Sequence, residues 1–201
     1  MALIYRKNDV EQIVSKLKSG QVIAFPTDTV FGLGCMTGNL AAHNRIKEIK
    51  NREAHKPLPI MCSNIKMVKE IAEVNADDEH LIKTLGPGAI TYILKKKPSL
   101  EAVFTNNQDT VAIRIPDDDF ILTMINQLGC PMFVTSCNYS NAPSLKYFKD
   151  VKAQFEDLVD MIVEADALSE ISSTIYDCAN HKILRSGVIS IEKINEIIKN
   201  K

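Results

Sequence analysis

Three cations fall within seven residues in Lys50-Asn51-Arg52-Glu53-Ala54-His55-Lys56-Pro57, where a helix-like pattern gives way to an apolar run. A polyphosphate needs several separate positive donors, and ammonium groups beside a forked guanidinium supply them. An exposed basic helix end, favourable with the helix dipole, is the competing reading. A second stretch, 25–34, sets Thr27, Asp28 and Thr29 side by side and then offers Gly32 and Gly34, which would let backbone approach a ligand. A turn held by local side-chain bonds has the same composition. Arg114 interrupts an apolar strand over 110–116, and an arginine there needs an acid, either a substrate carboxylate or a structural Asp or Glu. Val134-Thr135-Ser136-Cys137-Asn138-Tyr139-Ser140 is a strand end rich in small polar groups, suited to a phosphate, to an amino acid or simply to a hydroxyl-stabilised turn. Ser172-Ser173-Thr174-Ile175 and Leu184-Arg185-Ser186-Gly187 carry a weaker signal, because polar side chains are common at strand starts.

The usual phosphate and nucleophile signatures are missing. There is no GxxxxGK[ST] and no GxSxG, and the start of a GxGxxG at Gly32-Leu33-Gly34 fails at Thr37. Any nucleotide site is therefore built another way. Cys35, Cys62, Cys130, Cys137 and Cys178 are odd in number, widely spaced and without a CxxC. That pattern fits small buried hydrophobes in a reducing compartment better than a disulfide framework or a zinc site. The four histidines are scattered, and no resident metal is expected.

The elements that must position these groups follow from periodicity. Val10, Ile13, Val14 and Leu17 predict a helix over 9–18, capped by Asn8 or Asp9 and ended by Gly20. Further helices are predicted over 39–50 with Asn39 as cap, and over 64–73, 77–85, 117–128, 145–155 and 190–199. Strands are predicted over 21–25, 58–62, 90–95, 110–115, 131–136, 159–164, 173–178 and 182–185. Strands and helices mix without strict alternation, which predicts an α/β (α+β) domain with a mixed sheet. With no repeat or long linker, one domain over 1–201, with its core at 9–190, is the simplest organisation.

Composition bounds the function. The chain has 201 residues, 24 basic and 25 acidic, for a net charge of −1, which argues against a generally basic nucleic-acid binder. That balance hides asymmetry: 43–56 gathers Arg45, Lys47, Lys50, Arg52 and Lys56 against two glutamates, 95–97 is three lysines, and 153–170 has six acids and no base. The N-terminus shows no signal-peptide pattern, and polar residues break the uncharged stretch 120–145, so a cytoplasmic location is expected.

Taken in order, the motifs resemble the YrdC family of L-threonylcarbamoyladenylate synthases. Pro26-Thr27-Asp28-Thr29-Val30-Phe31-Gly32-Leu33-Gly34 is similar to its PT(D/E)TVYGLG. Lys50-Asn51-Arg52 is similar to its KxR triplet, and Lys56-Pro57-Leu58 follows it. Pro87-Gly88-Ala89-Ile90-Thr91, Arg114-Ile115-Pro116, Ser136-Cys137-Asn138, Ser173-Thr174-Ile175 and Arg185-Ser186-Gly187 complete the series over about 9–190. The resemblance implies a twisted mixed sheet around a concave basic cavity. It also implies condensation of L-threonine, bicarbonate and ATP into threonylcarbamoyl-AMP and pyrophosphate, for threonylcarbamoylation of adenosine in tRNA by separate transfer proteins. Under it, Lys50 and Arg52 are catalytic. Arg52, Lys56, Thr110, Asn138, Ser144 and Arg185 bind ATP, which carries Mg²⁺. Thr29, Arg114, Ser136 and Ser173 bind threonine.

Departures stand beside the matches. Phe31 replaces the usual tyrosine, Met61 stands where some members have a threonine-contacting histidine, and Cys137 and Ser186 replace smaller or cyclic residues. The length matches the shorter members of the family. The rival readings are a non-catalytic relative that binds structured RNA or tRNA weakly through the basic concavity, and a carbamoyl-transfer module like that of hydrogenase maturation.

Overall fold

The central strands are short, nearly continuous apolar runs such as Ile23–Phe25 and Met132–Ser136, which suits strands buried on both faces. The structure, a computed structural model, describes residues 1–53 and 55–199; Ala54 in the basic loop and residues 200–201 lie outside the described residues. In chain order the strands are β1 (Leu3–Tyr5), β2 (Ile23–Phe25), β3 (Gly32–Met36), β4 (Ile60–Met61), β5 (Ile90–Lys95), β6 (Thr110–Arg114), β7 (Met132–Ser136), β8 (Met161–Val163), β9 (Thr174–Asp177) and β10 (Lys182–Arg185). The helices are α1 (Val10–Lys18), α2 (Leu40–Ile49), α3 (Ile65–Ile71), α4 (Ala76–Leu85), α5 (Asp119–Leu128), α6 (Phe148–Phe155) and α7 (Ile191–Lys199), with a 3₁₀ turn over Ala102–Thr105. All ten strands join one mixed sheet in the order β1-β8-β2-β3-β7-β4-β6-β5-β9-β10. The pairs β1/β8, β2/β8, β4/β6 and β5/β9 are parallel and the remaining pairs antiparallel.

One face of the sheet is covered along its length. Leu33, Ile60, Tyr92, Leu94, Val111, Ile113, Phe133 and Tyr176 point into a core closed by α2, α3, α4, α6 and α7 through residues such as Ile46, Val68, Leu81, Phe155 and Ile194. The opposite face is covered only in part. Helices α1 and α5 bring Ile13, Leu17, Ile121, Met124 and Ile125 against Ile23, Phe25, Met61, Met132, Val134 and Met161, and that core stops at β4. Beyond it, Thr91 and Ile93 of β5, Ala112 and Arg114 of β6 and Ile175 of β9 alternate with core residues and face away from the large core. The sheet thus leaves a half-uncovered face where its helical cover ends.

The helices and most strands agree with the sequence pattern to within a few residues. Asn39 caps α2 by accepting the Ala42 amide, and Asp118 caps α5 by accepting that of Ile121. Asp9 precedes α1 but spends its carboxylate on the Arg6 amide, so it caps nothing inside the helix. Helix α6 begins at Phe148, not 145, because the Leu145 and Lys146 carbonyls are taken by the Phe31 and Ala167 amides. Strands β1 and β3 lie outside the pattern. The glycines of 32–34, read from the sequence as part of a loop where backbone approaches a ligand, belong to a strand packed between β2 and β7. A Cβ on Gly34 would stand 2.8 Å from the Phe133 carbonyl oxygen and 3.2 Å from the Phe25 ring.

Gly34→Ala is therefore expected to cost about 1–3 kcal/mol, the usual penalty for overpacking against backbone. Urea unfolding with an unchanged slope and a lowered midpoint is the expected result, and a midpoint equal to the parent's contradicts it.

Candidate functional site

A cavity of about 160 Å³ opens where α1 and α5 stop covering the sheet, lined by Thr27, Thr29, Arg52, Met61, Thr91, Arg114, Ser136, Ser172, Ser173 and Arg185 among others. Drug-sized ligands occupy roughly 300–1,000 Å³, so this volume suits something as small as an amino acid. Anything longer must extend out over its rim.

Arg114 forms the floor. It ends β6 beside Met61 of β4, and the residue is 5% exposed. Its Nε donates to the Gly88 carbonyl at 2.9 Å, Nη1 to Thr29 Oγ1 at 2.8 Å and Nη2 to Asp28 Oδ2 at 2.6 Å. Burial pulls its pKa below the usual guanidinium value and Asp28 pushes it back. Thr29 is held in turn by Thr27, whose Oγ1 lies 3.0 Å from Thr29 Oγ1 and donates to the Val30 carbonyl at 2.7 Å. So the polar cluster Thr27-Asp28-Thr29 is both things the sequence allowed: a locally bonded turn and, through Thr27 and Thr29, one wall of a cavity.

Arg185 faces the same cavity from β10. Its Nε and Nη2 donate to the Ser173 carbonyl at 3.1 and 2.8 Å, and Nη2 also reaches Ser173 Oγ at 3.1 Å. Ser173 Oγ lies 2.8 Å from Thr91 Oγ1. The Arg185 pKa is lowered by burial and then by the neighbouring charge of Arg114. Two guanidiniums line one space, and the carboxylate paired with one of them, Asp28, lies outside the lining, which makes an anion site. Arg52 adds a third from the basic loop, tied to that loop by bonds to the Lys56 and Pro57 carbonyls.

Lys50 behaves differently from its neighbours in sequence. It is 2% exposed, does not line the cavity, and donates to the Ser136 carbonyl, to the Asn138 carbonyl at 2.7 Å and to Asn138 Oδ1 at 2.9 Å. Ser136 Oγ donates to the same Asn138 Oδ1 at 2.6 Å, and Asn138 Nδ2 donates to the Ala142 carbonyl. The ammonium thus knots the turn after β7 that presents Ser136 to the cavity. Burial lowers its pKa to about 8.

The expected residues divide accordingly. Thr29, Arg114, Ser136, Ser173, Arg52 and Arg185 converge on the cavity. Asn138 and Ser144 stand just behind its wall, Ser144 Oγ lying 3.4 Å from the lining residue Ser172. Lys56 is exposed and pairs with Glu53 at 2.8 Å. Thr110 is exposed at the far end of β6, on the face that carries Arg114 but about 13 Å along the strand at the usual rise. Gln108, just before it, donates to the His55 carbonyl, so the start of β6 lies beside the basic loop. Two further residues, Thr91 in the cavity lining and Asp28 behind it, stand within motifs singled out in the sequence but carry no assigned site role there. The alternation of Thr91 with Ile90 and Tyr92 is the available signal for the first, and nothing in the sequence announces the Asp28–Arg114 pair.

Comparisons with known proteins show the family and the fold. The family of Sua5, YciO and YrdC proteins, described as telomere recombination, matches residues 15–187. A threonylcarbamoyl-AMP synthase of Bacillus subtilis is 32% identical over 194 residues, covering 94% of this chain and 56% of its own. One from Photobacterium profundum is 28% identical over 184 residues, covering 90% of this chain and 100% of its own. The chain therefore spans about half of one relative and the whole length of another. The crystal structure of P. abyssi Sua5 complexed with L-threonine matches with a TM-score of 0.90 and 29% identity, over 98% of this chain and 60% of that one.

Because burial disfavours the charged amine, Lys50 holds its third proton below pH about 8 and sheds it above. With fewer donors the Ser136–Asn138 turn loosens, so kcat/KM for any substrate of the cavity is expected to fall as pH rises through about 8. A pH profile of Lys50→Arg, whose charge persists, should lack that alkaline limb; an identical limb in both proteins contradicts the assignment.

Proposed function

The chain belongs to the Sua5/YciO/YrdC family, and on that premise we propose that it is an L-threonylcarbamoyladenylate synthase. It condenses L-threonine, bicarbonate or CO₂, and ATP, releasing pyrophosphate. The observation that carries the reading is the convergence of Arg52, Arg114 and Arg185 with the hydroxyls of Thr29, Ser136 and Ser173 on one amino-acid-sized cavity.

The chemistry asks for positioning and charge, which is what these residues offer. The threonine amine attacks carbon dioxide, forming a C–N bond and releasing a proton, and the product is a carbamate. A carbamate oxygen then attacks the α-phosphorus of ATP, the bond to the β-phosphate bridging oxygen breaks, and pyrophosphate leaves with its electron pair. No side-chain nucleophile takes part, so the catalytic contribution is orientation and stabilisation of anionic oxygens. We assign Arg114 to the threonine carboxylate, with Thr29, Ser136 and Ser173 around the amino and hydroxyl groups. ATP lies across the rim, its phosphates against Arg52, Lys56 and Arg185 and its remaining contacts with Asn138, Ser144 and Thr110. Lys56 must leave Glu53 to take part, an exchange that an exposed pair makes cheaply. Lys50 serves by shaping the Ser136–Asn138 turn, where its ammonium is bonded. Mg²⁺ enters with the ATP phosphates, and the product goes to tRNA through separate transfer proteins.

Purified protein should release pyrophosphate only when L-threonine, bicarbonate and Mg-ATP are all present, with L-serine as the discriminating control. Arg114→Gln should lower kcat/KM for threonine about 100-fold or more, the scale of losing one preorganised donor to an anionic group. Pyrophosphate release that persists without threonine would sink the reading.

A further inference from the structure

We infer that Asp28 is a positioning residue for amino-acid recognition, acting through Arg114, so that the ion pair and not the arginine alone sets affinity for threonine. The inference rests on the function proposed above and names one more residue that it requires.

Asp28 and Arg114 are buried together, with side chains 8% and 6% exposed, and their Oδ2–Nη2 distance is 2.6 Å. The same Oδ2 accepts the Asp117 amide at 3.2 Å, which ties the carboxylate to the approach of α5. Arg114 has five N–H donors, of which Gly88, Thr29 and Asp28 each take one. One N–H remains on each terminal nitrogen, the number a bidentate carboxylate needs. Which two remain, and in what plane, depends on the three protein acceptors. Among these, Asp28 is the charged one and makes the shortest bond.

Asp28 does not itself line the cavity. Its second oxygen, Oδ1, is buried and has no hydrogen-bond partner among the described residues. A carboxylate placed for its own stability would be expected to fill both oxygens. This one is oriented by the guanidinium it serves. It therefore reaches substrate only through Arg114.

Two effects of removing its charge oppose each other. An uncompensated guanidinium attracts a substrate carboxylate more strongly, which would tighten binding. Yet a buried guanidinium that loses its counter-ion turns toward other acceptors or water and gives up its aim. In a cavity this small, misplacement by a fraction of an ångström dominates. Threonine binding must therefore weaken, not tighten.

The test is steady-state pyrophosphate release by the full chain carrying Asp28→Asn, which keeps the shape and removes the charge. Threonine KM is expected to rise at least tenfold while ATP KM changes less than twofold. In an Arg114→Gln background the same substitution is expected to change threonine KM less than twofold, because the arginine through which it acts is gone. A lower threonine KM, a parallel rise in both KM values, or an undiminished effect in the Arg114→Gln background overturns the inference. If Asp28→Asn does not fold, Asp28→Glu decides: its displaced carboxylate should raise threonine KM alone, and parent-like values overturn the proposal. If the parent protein shows no threonine-dependent release, the functional reading fails; if it does and the Asp28 variants match it, only this inference fails.

Discussion

A guanidinium buried at the end of a central strand is the constraint around which this molecule is arranged. Arg114 closes β6 at 5% exposure, where an unpaired cation would be several kcal/mol too costly. It can stay only if acceptors come to it. They come from two separate segments, Asp28 and Thr29 after β2 and Gly88 after α4. The Asp117 amide adds the approach to α5 through Asp28. Thr29 and the arginine itself line the cavity that these segments enclose. The bonds that make the arginine tolerable are therefore the bonds that shape the site.

Lys50 answers the same problem in the opposite way. Its ammonium is surrounded by neutral carbonyl and amide oxygens. Dipoles compensate a buried charge less completely than an anion does, and burial takes its pKa down to about 8. The consequence is a turn whose geometry depends on protonation. Arg114, always charged and forked, suits permanent recognition of a planar anion; Lys50, a compact charge with three donors, suits gathering three oxygens around a point.

Much of the fold was legible in the chain, and the limits are physical. Helices declared themselves because a 3.6-residue apolar period, as in Val10-Ile13-Val14-Leu17, matches one buried helix face and no strand. β3 did not, because Gly32-Leu33-Gly34-Cys35-Met36 carries no polar alternation and its glycines read as freedom. In the sheet those glycines instead make room for Phe25, Phe133 and Val134. The site residues were legible as types but not as directions. Lys50, Arg52 and Lys56 look alike along the sequence. The end of α2 turns the first into the protein, the loop carries the second to the cavity, and Glu53 draws the third outward. Direction depends on partners distant in sequence, Asn138 for Lys50 and Asp28 for Arg114, and no local pattern encodes them.

The balance of charge at the cavity is what makes such a site select anions. Arg52, Arg114 and Arg185 line one small space, and the buried acid beside them, Asp28, lies behind its wall. Burial first, and then the nearby charge of Arg114, hold the Arg185 pKa below the usual guanidinium value. The site thus holds repulsion that the fold cannot relieve by moving, because each guanidinium is tied to backbone carbonyls from other segments. A neutral ligand would leave that repulsion in place. A carboxylate, carbamate or phosphate placed between the guanidiniums relieves it, and the relief is greatest for the species with the most negative charge at that point. In the adenylation proposed above, negative charge gathers there as the carbamate oxygen approaches the α-phosphate, so the arrangement favours that transition state over the bound substrates.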